Sequence, residues 1–246
     1  MKYYKTITHK NKGLGFDMGY SFGGPIVTDG LHFYVDVADN NSYPGSGTTV
    51  TDLIRSKSGT LTNGPTIGTS PSKHINFDGS DDYLVYANYI PTELTTSSYS
   101  LEFWFTNNAG TDYEGVFSLG NGCQVYARDS KLEVYQSNNG SASYNVVNGV
   151  KNSTSLGSEG DWNCAVLHRS GTTITFFING AADGQHSASS GNTMGVGSVT
   201  DTLIGAYATN AYRYGGLLGP LRIYNRALSV AEINQNFNAQ RTRFGI

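Results

Sequence analysis

Short runs of alternating apolar and polar residues, interrupted by Gly, Asn, Asp and Ser, dominate this chain from Leu31 onward. A side-chain period of two belongs to strands, whose successive residues point to opposite faces. LHFYVDV sets Leu31, Phe33, Val35 and Val37 on one face. SYSLEFWFT sets Tyr99, Leu101, Phe103 and Phe105 against Ser100, Glu102 and Trp104. TTITFFING sets Thr172, Ile174, Phe176 and Ile178 against Thr173, Thr175 and Phe177, then turns at Asn179-Gly180. An Asn-Gly pair supplies the positive φ angles of a tight hairpin. Further runs of this kind are HINF (74–77), YLVYA (83–87), GVFSL (115–119), CQVYA (123–127) and KLEVYQ (131–136). SYNVV (143–147), WNCAVLHR (162–169), TLIGAY (202–207) and LRIYN (221–225) complete the set. Regularly spaced short strands predict an all-β, two-sheet antiparallel sandwich, and no repeat of solenoid or propeller length is visible.

Composition agrees. With 31 Gly and only 14% charged residues, the polar content lies in uncharged turn formers, which suit strands and turns better than long helices. One helix is signalled, in ALSVAEINQNF: Ser229 is an N-cap, Glu232 completes a capping box, and Leu228 can staple to Ile233. Val230, Ile233 and Phe237 are expected on its buried face, with the helix closing one end of the sandwich. Residues 1–28 differ, alternating Gly13, Gly15, Gly19, Gly23 and Gly24 with Phe16, Tyr20 and Phe22. So many glycines destroy any regular period, while flexible tails normally lack aromatics. The segment reads as an extended N-terminal arm that orders by packing on something, with Phe16, Tyr20 and Phe22 as assembly contacts and residues 29–246 as the folded domain.

Net charge is −3, so no basic stripe is available to neutralise phosphates and no nucleic-acid partner is expected. No apolar run approaches the ~20 residues of a membrane span. MKYYKTITHKNKGLGF lacks the ~7–15-residue apolar core of a secretory signal. The expectation is synthesis in the cytoplasm, with Cys123 and Cys164 kept as small buried thiols, although they could pair. Catalysis is not expected. A glucanase built on a sandwich needs two opposed carboxylates, and no E-x-D-x-E strand is present. No G-x-S-x-G elbow occurs either, and His9, His32, His74, His168 and His186 are scattered.

Two surface clusters remain. Asp78, Asp81 and Asp82 group hard oxygen ligands suited to Ca²⁺, or hydrogen-bond their own turn backbone. Tyr207, Tyr212, Arg213 and Tyr214 are candidate glycan contacts, since aromatic faces stack on sugars and Arg adds a donor.

FDGSDDYL (77–84), SYSLEFWF (98–105), Trp162 through FFING (176–180) and GLLGPLRIYNRALSVAEINQNFNAQRTRFGI (216–246) together resemble laminin G-like, concanavalin A-like jelly rolls. The resemblance spans about residues 26–246 and implies a jelly-roll sandwich. It also implies that no cofactor is required beyond one structural calcium near Asp82. The acidic residue that usually aids it is replaced by Leu218-Gly219-Pro220. GPIVTDGLHFYVDVADNNSYPGSGTTVTDL (24–53) and RTRFGI are similar to laminin G-like proteins of tailed bacteriophages. That similarity implies a non-catalytic structural protein of a virion, a capsid decoration or a tail or fibre accessory. It would be assembled in the host cytoplasm with other virion proteins and copies of itself, displaying a jelly roll adhesive to host-surface glycans. The alternative is a carbohydrate-binding, lectin-like domain of a bacterial surface or secreted protein, with an extracellular location.

Overall fold

The computed structural model describes residues 24–91, 98–108, 110–140, 144–189, 194, 195, 197, 200–207 and 211–246. Phe16, Tyr20 and Phe22 lie outside the described residues. Sixteen strands and one α-helix are present among those described. The first eight strands are β1 (Leu31–Val35), β2 (Thr49–Thr51), β3 (Ser58–Thr62), β4 (Thr66–Gly68), β5 (His74–Asp78), β6 (Tyr83–Tyr86), β7 (Ser98–Thr106) and β8 (Glu114–Leu119). The rest are β9 (Cys123–Arg128), β10 (Lys131–Gln136), β11 (Val147–Lys151), β12 (Trp162–Ser170), β13 (Thr173–Ile178), β14 (Ala181–Ser187), β15 (Thr202–Ile204) and β16 (Gly215–Tyr224). Helix α1 (Val230–Gln240) and a 3₁₀ turn (Arg241–Phe244) follow.

All strand pairs are antiparallel and form two sheets. The first runs β14-β13-β12-β7-β16-β5-β4, with β1 also paired to β16, and the second runs β11-β10-β9-β8-β15-β6-β3-β2. The two inner faces share one core that includes Phe33, Phe77, Leu84, Phe103, Phe105, Phe117, Val125, Val134, Phe176 and Ile223. This is the two-layer sandwich expected from the alternation, and the faces assigned to β7 and β13 hold residue by residue. The β13–β14 hairpin turns through Asn179 and Gly180 at φ 51° and 83°, the left-handed pair such a turn needs.

Several expectations change. A register shift between Leu31 and Phe33 moves Leu31 off the core: Phe33, Val35 and Val37 point inward while Leu31 packs on the outer cluster. The strand expected over 143–147 is Val147–Lys151 instead, and the run at 202–207 stops at Ile204 because Gly205 turns at φ 81°. Helix α1 keeps its capping box, but it lies on the outer face of the first sheet, where Leu228 and Ile233 pack with Val166, Phe177 and Tyr224. Its buried positions are Ile233, Asn236, Ala239 and Gln240; Val230 is exposed. Beneath it, Arg222 Nη1 meets Glu102 Oε1 at 2.5 Å, and Asn236 donates to Glu102 Oε2 at 2.6 Å. Phe244 stacks on Trp104 at 4.4 Å and closes the same face. Cys123 and Cys164 are both free and buried.

The chain reaches β1 along this helix face. Gln235 donates to the Pro25 carbonyl at 2.8 Å, Val27 N–H donates to Asn236 Oδ1 at 2.8 Å, and Tyr224 donates to the Val27 carbonyl at 3.0 Å. Val27 is buried in the outer cluster. The helix and this entering segment therefore occupy one side of the sandwich, leaving the outer face of the second sheet to other uses.

Candidate functional site

That second outer face is built from tyrosine. In β9 and β10, Cys123, Val125, Ala127, Leu132 and Val134 point into the core, so alternation throws Tyr126 and Tyr135 outward on neighbouring strands. Tyr126 is the hub, buried to 4% exposure by rings on every side. Its centroid lies 5.4 Å from Tyr113, 5.8 Å from Tyr135, 6.0 Å from Tyr207 and 5.9 Å from Tyr212. Tyr144 extends the group, 4.7 Å from Tyr135. Most of these pairs are edge-on or tilted, the arrangements that aromatic quadrupoles favour.

The hydroxyls are tied together at the edges. Tyr135 donates to Glu133 Oε1 at 2.7 Å, Tyr113 and Tyr135 hydroxyls meet at 3.2 Å, and Tyr126 donates to Gln124 Oε1 at 3.2 Å. Burial, with neighbouring tyrosines adding to it, holds the Tyr126 and Tyr144 hydroxyls far above the ordinary phenol range. These two hydroxyls therefore stay neutral donors and acceptors at neutral pH.

A short loop brings Tyr207 and Tyr212 onto this platform. Tyr207 N–H donates to the Ala211 carbonyl at 3.0 Å and Tyr214 N–H to the Gly205 carbonyl at 3.1 Å, closing the loop on itself. Gly115 N–H donates to the Tyr212 carbonyl at 2.6 Å. A Cβ at Gly115 would stand 2.7 Å from the Ala206 carbonyl carbon and from Tyr207 N, so only glycine lets the loop lie flat on β8. Tyr212 sits at φ 53°, a left-handed conformation rare for a bulky residue and one that concentrates at functional positions. The residue is 51% exposed.

The four residues expected to meet sugar thus divide. Tyr207 and Tyr212 join the platform. Arg213 lies over the Tyr83 ring at 4.7 Å. Tyr214 turns inward, fully buried, and donates to the Thr106 carbonyl at 2.5 Å, so no surface ligand can touch it. Tyr113, Tyr126, Tyr135 and Tyr144 were not anticipated. The signal for two of them was present, since Tyr126 and Tyr135 occupy the polar phase of two strands joined by a tight turn.

Asp78, Asp81 and Asp82 do come together, with one oxygen of each within 4.8 Å of the others. Asp78 Oδ1 accepts from Ser80 N–H at 2.8 Å and Asp81 N–H at 3.4 Å, and Asp82 Oδ2 accepts from Asp78 N–H at 3.2 Å. The Ser80 hydrogen bond lowers the Asp78 pKa, whereas burial raises that of Asp82, with Asp78 and Asp81 adding to the rise and the Arg213 charge opposing it. Calcium takes six to eight oxygens. Here the Asp78 and Asp82 carboxylates also serve the turn backbone, each keeping lone pairs that a cation could use, and backbone carbonyls or water would have to supply the rest of a calcium shell.

Two acids near the platform are also committed. Glu133 accepts from Tyr135 and pairs with Arg128 and Lys151. Glu114 points to the inside, accepting from Asn108 at 2.7 Å and from Gly215 N–H at 3.0 Å, and so fastens β8 to β16 across the sandwich. Burial raises the Glu114 pKa, against the Gly215 hydrogen bond. A cleft of about 530 Å³ opens elsewhere, lined by Leu156, Trp162, Ile178, Asp161 and Asp183 among others. Its Asp183 carboxylate is spent on Asn152 and Thr154, which pins the cleft wall.

Comparison with known proteins places this architecture. Solved structures share it at low identity. Trypanosoma rangeli sialidase matches with a TM-score of 0.59 at 14% identity, over 90% of this chain and 34% of that one. The botulinum neurotoxin serotype D binding domain matches with a TM-score of 0.66 at 12% identity, over 86% and 52%. The binding domain of botulinum neurotoxin DC, solved in complex with SialylT, matches with a TM-score of 0.63 at 10% identity, over 85% and 51%. The chain therefore spans about a third to a half of these structures, and the likeness is one of fold. No curated protein matches the sequence. The family model of the concanavalin A-like lectin/glucanases superfamily, Laminin_G_3, matches residues 77–234, well over half of the sequence, and this chain belongs to that superfamily.

Proposed function

We propose that this chain is a non-catalytic glycan-binding module whose recognition surface is the tyrosine face of the second sheet. The observation that carries the reading is Tyr212, half-exposed and held at a positive φ over a bed of buried rings. Aromatic faces of this kind stack on the apolar side of a sugar while their hydroxyls meet its polar edge. Membership of a lectin and glucanase superfamily supports it, as does the fold shared with a toxin binding domain solved with SialylT. Glu133 is held by Tyr135, Arg128 and Lys151 and Glu114 by Asn108 and Gly215, which supports the absence of the two-carboxylate glycosidase mechanism at this face.

The test is a glycan array followed by calorimetry on the wild type and Tyr212→Ala. Half of Tyr212 is exposed and the rest packs on neighbouring rings, so the expected result is a folded protein with a fall in melting temperature of a few degrees and a loss of affinity of about tenfold or more. Equal binding by both proteins would sink the assignment to this face.

A role as a bacteriophage virion protein is a second reading, favoured by the placement of the entering chain. Pro25 and Val27 are bound on the α1 side, opposite the tyrosines. An arm anchored among other virion proteins would leave the tyrosine face outward, toward host-surface glycans. Incorporation of residues 24–246 into particles as efficiently as the full chain would remove the anchoring part of this reading.

A further inference from the structure

The charges around the tyrosine face indicate which sugars it takes. Beyond residue 23 every Lys and Arg of the chain is among the described residues, and four stand at this face or its edge. Lys131, in the outward phase of β10, turns to the edge, where Nζ donates to the Ser153 carbonyl at 2.7 Å and its charge acts on Asp183. Arg128 lies 4.2 Å over the Tyr113 ring, with Nε 3.6 Å from Asp129 Oδ2 and Nη1 3.7 Å from Glu133 Oε2. Lys151 Nζ is 3.2 Å from Asp129 and 3.4 Å from Glu133. Arg213 lies over Tyr83 with a buried Nη1, and its charge acts on Asp82 in the three-aspartate turn. Arg128 and Lys151 are therefore already offset by carboxylates, Lys131 is drawn to the Ser153 carbonyl, and Arg213 is stacked on Tyr83. The groups left to a ligand are aromatic faces, neutral hydroxyls and the exposed Asp129.

An anionic sugar needs a cation that is still available. At this face its carboxylate would meet a neutralised pair and the like charge of Asp129, an arrangement that suppresses binding. A neutral pyranose loses nothing: its C–H face stacks on Tyr212 and its hydroxyls exchange hydrogen bonds with the phenols. We infer that the tyrosine face selects neutral glycans and rejects sialylated ones, an inference that rests on the glycan-binding reading above.

Asp129→Asn tests it by gain of function. Asp129 sits at φ 53°, a conformation Asn adopts readily, so the turn is preserved while Arg128 and Lys151 are left with Glu133 alone. Wild type, Asp129→Asn and Tyr212→Ala are compared on neutral glycans and their sialylated counterparts, with affinities of hits measured by calorimetry. The wild type is expected to bind a neutral member at least about tenfold more tightly than its sialylated partner, with an affinity unchanged between low and high salt. Asp129→Asn is expected to narrow that gap by about threefold or more, and Tyr212→Ala to lose the neutral glycan. Equal wild-type binding of the sialylated member, or a gap unaltered by Asp129→Asn, overturns the charge argument and leaves the glycan reading standing. A wild type that binds no glycan overturns both.

Discussion

At the scale of single residues, the decisive contacts join positions far apart in the chain. Glu102 and Arg222 are 120 residues apart, yet both are almost fully buried under α1 and share the ion pair with Asn236 and Tyr34. Removing one partner of a buried pair strands the other charge, which costs about 3–5 kcal/mol, while replacing both with apolar groups costs far less. Glu102→Ala is therefore expected to destabilise the protein by about 3–5 kcal/mol in urea unfolding, and Glu102→Leu with Arg222→Met to recover most of the loss. An additive double variant would contradict this account. Alternation showed that Glu102 faces away from the core but not what it meets, because that depends on the β7–β16 register. The same holds for the tyrosines. Tyr207 and Tyr212 were legible as a cluster in one loop, whereas Tyr113 and Tyr144 reach Tyr126 only once the strands are paired. Tyr214, one step further along the loop, reads like its neighbours and is buried because β16 starts there.

At the scale of elements, local rules sufficed wherever apolar residues alternate without interruption. β7, β12 and β13 and the start of α1 follow them closely. β2, β3, β4 and β14 were missed because Ser, Thr, Gly and Ala give no amphipathic signal: their stability comes from edge pairing, such as Thr60 with Val85 and Ile67 with Ile75. The start of α1 allows a pH prediction. Hydrogen bonds from Arg226, then from Ser229, lower the Glu232 pKa from 4.5 to about 2. A depressed carboxylate stabilises the fold above its unfolded value, and that contribution is lost as pH falls from about 4.5 toward 2. Solvent screening at this partly exposed site keeps it to about 1 kcal/mol, the usual worth of a cap. Thermal melts of the wild type and Glu232→Gln should differ at pH 6, draw together as pH falls through 4 and 3, and converge only below about pH 2. A difference that persists at the lower pH would show that the carboxylate charge is not its source.

At the scale of the whole molecule, the sandwich has two unlike outer faces. One is closed by α1, Phe244 and the segment entering β1, and the other carries the tyrosines. Residues 25–27, which composition grouped with the glycine-rich arm, are bound into the closed face. Their part in the fold can be measured by comparing residues 24–246 with residues 29–246. The shorter chain loses buried Val27 and three hydrogen bonds, from Gln235 to Pro25, from Val27 to Asn236 and from Tyr224 to Val27. It also leaves Asn236 and Tyr224 with lost partners beside the Glu102–Arg222 pair. Burying a valine is worth about 1.5–3 kcal/mol and each hydrogen bond about 1 kcal/mol, so the shorter chain should be less stable by roughly 3 kcal/mol or more. For a domain of this size that corresponds to a fall in melting temperature of roughly 5–10 °C. The tyrosine face lies on the other sheet, so glycan affinity measured well below the transition should be equal for the two chains. If the melting temperatures coincide, residues 24–28 do not contribute to the closed face. If glycan affinity falls along with stability, the two faces are coupled through the core and are not the independent surfaces inferred here from their separation.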